Sequence, residues 1–153
     1  MARVFRFSLD SILELRVWEE KQSEFALAAK TGECTLCENE IKTLAENRKR
    51  TGLERGRTGL DLSLFAAHEA YRLRLSRKIE RLQEVLARLT VEREDLIEAW
   101  KKARQKREIL SKLREKKHFA FERELIRRES LQIDDLNTAS YIRKLSAMEG
   151  TRG

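Results

Sequence analysis

The sequence predicts an all-α fold, an antiparallel two-helix coiled-coil hairpin of unequal helices in which the second is much longer. Three observations predict it. Residues from Leu75 to Leu145 keep a single seven-residue register, the signature of a helix with a seam that another helix must cover. The 153-residue chain contains no proline, and three of its six glycines fall between positions 51 and 60. Its 39% charged and 7% aromatic residues suit a rod that buries one stripe per helix better than a compact globule.

The first helix is expected over about residues 9–50. Ser8 or Asp10 can cap it, because a short side-chain oxygen accepts a hydrogen bond from a backbone N–H of the first turn. Leu15, Trp18, Gln22, Phe25, Ala29 and Leu36 follow at spacings of three, four and seven, and a shifted stripe continues through Cys37, Ile41 and Leu44. Gly32 interrupts the pattern at a cost of about 1 kcal/mol relative to alanine, and is expected to mark the change of register. Positions 51–61 form the glycine-rich turn, the strongest break signal in the chain.

The second helix is expected over about residues 62–148, capped by Ser63 or by Asp61 before it, with Gly150 as its stop signal. One row reads Leu75, Leu82, Leu89, Leu96, Ala103, Leu110 and onward; the interleaved row reads Ile79, Leu86, Arg93, Trp100, Arg107, Arg114 and Phe121. A connection this short favours an antiparallel pair. At 1.5 Å per residue the two helices reach about 60 and about 130 Å, so the first covers the second only to about residue 105. Trp18 is then expected near Leu96 or Trp100. Leu110, Leu113, Phe119, Phe121, Leu125, Leu131 and Ile142 are left partly uncovered, with Phe5 and Phe7 able to fold against them. Glu98–Lys102, Glu108–Lys112 and Glu124–Arg128 are spaced to support the exposed helix.

A two-helix rod has no central core, which argues against a roomy active site and therefore against an enzyme. Thirty-three basic and 26 acidic residues give a net charge of +7. The excess is concentrated: Lys101 to Lys117 holds nine Lys or Arg against Glu108 and Glu115, and Arg48, Lys49, Arg50, Arg55 and Arg57 surround the turn. Such patches suit acidic protein surfaces, nucleic acid or anionic lipid. No apolar run approaches the roughly 20 residues that span a bilayer, and the first residues lack a signal-peptide apolar region, so a cytosolic location is expected.

Cys34 and Cys37 have the spacing that could begin a zinc site or a redox pair. The only histidines, His68 and His118, are far apart in sequence, and His68 is expected opposite about residue 44. Small seam residues are the better reading of the two cysteines. Trp18 and Trp100 read as core wedges in preference to a stacking platform. The basic run sits mid-helix without an asparagine, unlike the basic region of a DNA-binding zipper. No Gly-Lys-Ser/Thr follows the turn glycines, so they form no phosphate loop. No catalytic, cofactor or metal site is expected.

Both ends of the chain resemble the flagellar export protein FliJ family. Phe5-Arg6-Phe7-Ser8-Leu9-Asp10 through Arg16, then Glu19-Glu20 and Leu27-Ala28, is similar to that family's Phe-x-Phe-x-Leu opening. Arg127-Arg128-Glu129-Ser130-Leu131 through Leu136 is similar to its Arg-x-Glu-Gln-Lys-x-Leu-Asp-Glu stretch, with Ser130 and Leu131 where Gln-Lys is common. Ala99 to Lys106 resembles the basic tryptophan-bearing run of some members. The resemblance implies an antiparallel coiled coil similar to the central stalk of rotary ATPases. As partners it implies the hexameric flagellar export ATPase, the cytosolic domain of the export gate, and export chaperones. Injectisome stalk proteins of related secretion systems are close functional relatives. Phe5, Phe7, Leu9, Leu13, Leu131, Leu136, Ile142 and Leu145 would then belong to the end entering the ATPase ring, and Leu44, Tyr71 and Leu75 to the gate-contacting end. The protein would be cytoplasmic, held peripherally at the inner membrane through the export apparatus, and a basic overhang would bind the ring in a salt-sensitive manner.

The expectation is therefore a non-enzymatic stalk of the flagellar type III export ATPase that promotes ring assembly and activity. Two alternatives remain: a basic coiled coil that binds nucleic acid or an anionic surface, and a structural coiled coil that self-associates through Leu110 to Leu145.

Overall fold

The computed structural model describes residues 4–57, 59 and 61–149. It is a helical hairpin: α1 spans Asp10–Arg55 (46 residues) and α2 spans Leu62–Glu149 (88 residues). Gly150 lies outside the described residues. The fold thus has the expected class, with the second helix nearly twice the length of the first.

The helix ends follow from local hydrogen bonding. The Asp10 N–H donates to the Phe7 carbonyl (3.2 Å) and the Leu13 N–H to that of Leu9 (2.9 Å), so the backbone turns into α1 at Leu9. The Asp10 carboxylate is engaged elsewhere, 3.4 Å from Arg114, and places a negative charge in the first turn where the helix dipole favours it. α1 runs past the expected end near Arg50: the Thr51 hydroxyl donates to the Asn47 carbonyl (3.0 Å), and Thr51 is buried. The turn is correspondingly shorter. The Arg57 N–H closes on the Glu54 carbonyl (2.9 Å), and Gly59 has φ +69°, a conformation that disfavours any side chain. Asp61, and not Ser63, caps α2. One carboxylate oxygen accepts from the Ser63 N–H (3.0 Å), the Ser63 hydroxyl (2.8 Å) and the Leu64 N–H (3.3 Å), which holds the Asp61 carboxyl below its usual range.

The chain divides into two compact units. The first, Leu15–Lys106, is the closed part of the hairpin. Its register is set by Lys30–Glu92 (2.9 Å), Glu40–Lys78 (3.0 Å) and Arg55–Glu69 (2.6 Å) between the helices. Arg48 also donates to the Ser76 hydroxyl (3.3 Å). The α2 seam is the expected one. Leu75 and Ile79 are buried, and Leu82, Leu86, Leu89, Leu96, Trp100 and Ala103 are half-buried.

The α1 seam differs from expectation. Inward positions run without a shift through Leu27, Lys30, Cys34, Cys37, Ile41, Leu44, Arg48 and Thr51. Leu15, Trp18, Gln22, Phe25, Ala29 and Leu36, expected to face the partner helix, are all exposed. Trp18 (58% exposed) is therefore not a core wedge. Gly32 neither breaks α1 nor changes its register, and a Cβ built there meets nothing within 4 Å. The error has a physical origin: the inward face carries Glu20, Ser23 and Lys30, so its apolar signal is weaker than that of the outward face. Cys34 and Cys37 are free thiols buried in the seam, with Cys37 Sγ 3.4 Å from the Leu82 carbonyl. Burial, with smaller effects from Glu40, Cys34 and Glu38, pushes the Cys37 thiol up. His68 shares a groove with Thr51, Glu54 and Tyr71, closer to the turn than expected.

The second unit joins residues 4–14 to residues 107–149. A non-helical strap, residues 4–7, lies along α2. Phe7 is 5% exposed, with Lys117 Nζ 5.7 Å from its ring centroid. Phe5 stands edge-on to His118 (5.0 Å between centroids) and tilted against Phe121 (5.7 Å). Coverage of α2 therefore reaches Phe121, beyond the expected limit near residue 105. Two things extend it: α1 is longer than about 40 residues, and the strap adds its own reach before Asp10.

Candidate partner-binding site

From Ile126 to Glu149 every residue of α2 is exposed. Among the described residues this is the longest helical stretch covered by nothing, and it is rich in large apolar side chains. Ile126, Leu131, Ile133, Leu136, Tyr141, Ile142, Leu145 and Met148 are each between 45% and 70% exposed. Their placement around the helix is informative. At about 100° per residue, all of them but Leu136 fall within one half of the helix circumference, and Leu136 lies on the opposite side. An apolar face this wide exceeds the stripe of about 100° that a single flat partner covers, so it is buried by contacts from more than one side.

The tip is electrically balanced. Arg127, Arg128, Arg143 and Lys144 are matched by Glu129, Asp134, Asp135 and Glu149. The basic run Lys101 to Lys117 ends before the tip begins, so the exposed end is apolar and neutral and not the basic overhang expected. Glu124 and Arg128 pair as expected (2.8 Å), while Glu98 pairs with Lys101 (2.8 Å) instead of Lys102 and is held below its usual range by that bond.

The residues expected at this end separate into two groups. Leu131, Leu136, Ile142 and Leu145 lie on the exposed tip. Phe5, Phe7, Leu9 and Leu13 instead belong to the strap and first turn of α1. Phe7 is buried and the other three are half-buried, so their visible role is to hold the strap on α2. Beside Phe5 and Leu13 runs an open groove whose lining includes Arg107, Lys112, His118, Phe119 and Leu125. At the turn end Tyr71 is 43% exposed and Leu44 half-buried, but Leu75 is only 6% exposed and is committed to the seam.

One surface was missed by the sequence reading. Leu15, Trp18, Phe25 and Leu36, with Gln22, Ala29 and Gly32 between them, form an exposed stripe at three- and four-residue spacing on the outer face of α1. The spacing was visible in the sequence, but it was assigned to the wrong side. Trp100 is half-buried with the Arg104 guanidinium 5.4 Å from its ring centroid, an arrangement that orients both on one face of α2.

No group of three or more His, Cys, Asp or Glu among the described residues is placed to hold a metal ion, and no described helix is long and apolar enough to cross a membrane. A family model described as the flagellar FliJ protein matches residues 5–146, nearly the whole chain. The chain belongs to this family. It is thus a flagellar export-related component, and the Phe-x-Phe opening and the helical tip as far as Ser146 fall inside the matched span. No curated protein and no solved structure matches it.

Proposed function

We propose that this FliJ-family chain is the non-enzymatic stalk of the flagellar type III export ATPase, with residues 126–149 as the part that enters the ring. The observation that carries the proposal is the tip: eight large apolar side chains on a bare helix, seven of them spread over half its circumference and Leu136 on the other side. Lining from several sides at once, as in the lumen of a ring, is the environment that would bury them. A bare helix of this kind contacts each ring subunit through a different face, which makes the subunits inequivalent and couples their states.

The balanced charge of the tip makes the seated contact chiefly apolar and weakly dependent on salt. The basic run Lys101 to Lys117 acts earlier, by steering the rod toward a carboxylate-bearing ring, so ionic strength changes the association rate more than the dissociation rate. The export gate's cytosolic domain is the partner of the flank of α2 above the turn, where Tyr71 is the accessible member of the expected cluster. Export chaperones are the partners of the outer α1 stripe, whose spacing suits an amphipathic helix. Assembly with the gate holds the protein at the cytoplasmic face of the inner membrane.

The test is binding of the cognate ATPase to the full chain and to a Leu131→Asp/Ile142→Asp variant. Both side chains are more than half exposed, so the variant keeps its helicity by circular dichroism while losing the ATPase. Undiminished binding by a folded variant removes the tip from the interface. A soluble homo-oligomer that is dispersed by the same two substitutions would favour self-association instead.

A further inference from the structure

We infer that the turn end of the hairpin is a docking surface for an anionic lipid bilayer. The inference rests on charge, apolar exposure and a cationic groove meeting at one end of the Leu15–Lys106 unit, and it does not depend on the stalk reading. Between positions 48 and 77 there are eight Lys or Arg and three carboxylates, Glu54, Asp61 and Glu69. That is a net +5 within a chain whose total is +7. Lys49, Arg50 and Arg57 are exposed and make no ion pair among the described residues.

Large apolar side chains project from the same end. Leu53 is 64% exposed and Leu62, the first residue of α2, is 82% exposed, the highest exposure of any large apolar residue described. At about 100° per residue, Lys49, Arg50 and Leu53 fall within about 100° on the last turns of α1. The face therefore alternates cations with a bare leucine. Beside it runs a groove lined by Ala45, Arg48, Lys49, Gly52, Leu53 and Arg72, with three cations and no carboxylate.

Cations around exposed leucines at the end of a rod are the two signals that hold a peripheral protein on an acidic membrane: the charges are drawn to the headgroups and the leucines enter the interface. Nucleic acid would use the cations but leave Leu53 and Leu62 without a role. An acidic protein would match the charge but not an apolar point at the extreme end of the hairpin. The groove accepts a phosphodiester headgroup, and the leucines distinguish a bilayer from dissolved phosphate.

The experiment is flotation of the full chain with vesicles of phosphatidylcholine alone and with about 30% phosphatidylglycerol. The chain is expected to float only with the anionic vesicles. Lys49→Ser/Arg50→Ser/Arg57→Ser is expected to weaken partitioning about a hundredfold, at about fivefold per charge. Leu53→Ser/Leu62→Ser is expected to weaken it about tenfold while leaving helicity unchanged. Failure to float with anionic vesicles overturns the inference. So does flotation that is indifferent to the leucine variant, that is displaced by millimolar inorganic phosphate, or that is outcompeted by a DNA duplex, since each assigns the patch to a polyanion without a bilayer.

Discussion

Replacing Phe7 with alanine should release the N-terminal strap while leaving both helices intact. Phe7 is 5% exposed, and burying a ring of that size stabilises by about 1.5–3 kcal/mol. The Lys117 ammonium near its face contributes about 0.5–1 kcal/mol more at a half-open site. Phe7 is flanked by exposed Arg6 and Ser8, so a truncated side chain leaves a cleft open to solvent and the penalty of a closed core does not apply in full. The net loss is about 2–3 kcal/mol, which raises the released fraction about 30–150-fold. Native-state hydrogen exchange reads this directly. The Asp10 N–H donates to the Phe7 carbonyl, so this amide should exchange faster by that factor. Amides around Cys37 and Ile79 should keep their wild-type rates. Unchanged exchange at Asp10 would mean that the ring does not hold the strap, and the account of the N-terminal unit would fail.

Three further outcomes are expected. Gly32→Ala should stabilise the fold by about 0.5–1 kcal/mol in urea unfolding, because α1 is continuous there and the added methyl group meets nothing; destabilisation would show a contact on that face. The Asp61 carboxyl titrates lower in the folded chain than its ordinary value of 3.8, so its capping contribution is fully present above that value and is lost as pH falls through the lower folded value. The Ser63 and Leu64 amides should accordingly lose protection below about pH 4, and Asp61→Ala should remove that pH dependence. Cys34 and Cys37 should react with a thiol-specific disulfide reagent only as fast as the hairpin opens, since both are buried and the Cys37 thiol is pushed up; rapid labelling of the native protein at pH 8 would contradict the closed seam.

The sequence made α2 legible because a leucine row from Leu75 to Leu110 leaves one choice of face. It made α1 legible as a helix but not in its orientation. Glu20, Ser23 and Lys30 face inward, where Lys30 is clamped between Glu33 (2.8 Å) and Glu92 (2.9 Å), while Trp18, Phe25 and Leu36 face outward. An inner face can be this polar because a two-stranded rod leaves its seam edges wet, so long cations bury their stems and keep their charge in solvent. Hydrophobicity alone then selects the wrong side. The same reasoning separates the tip from the basic run. Leu131, Leu136, Ile142 and Leu145 were identifiable as an uncovered end, but its neutrality emerged only once coverage by the strap set where the exposed helix begins. The terminal phenylalanines admit two readings, a contact for another molecule and a fold-back on the overhang, and in the structure both rings pack on the chain's own second helix.

The central claim, that this chain is a stalk acting through its tip, is tested most directly by titrating it into the cognate export ATPase and measuring ATP hydrolysis. The account predicts stimulation that saturates near about one chain per six ATPase subunits, as expected for one rod in a closed ring, and that is lost in Leu131→Asp/Ile142→Asp. Equal stimulation by the folded variant, or no stimulation by the wild-type chain at any ratio, would contradict it.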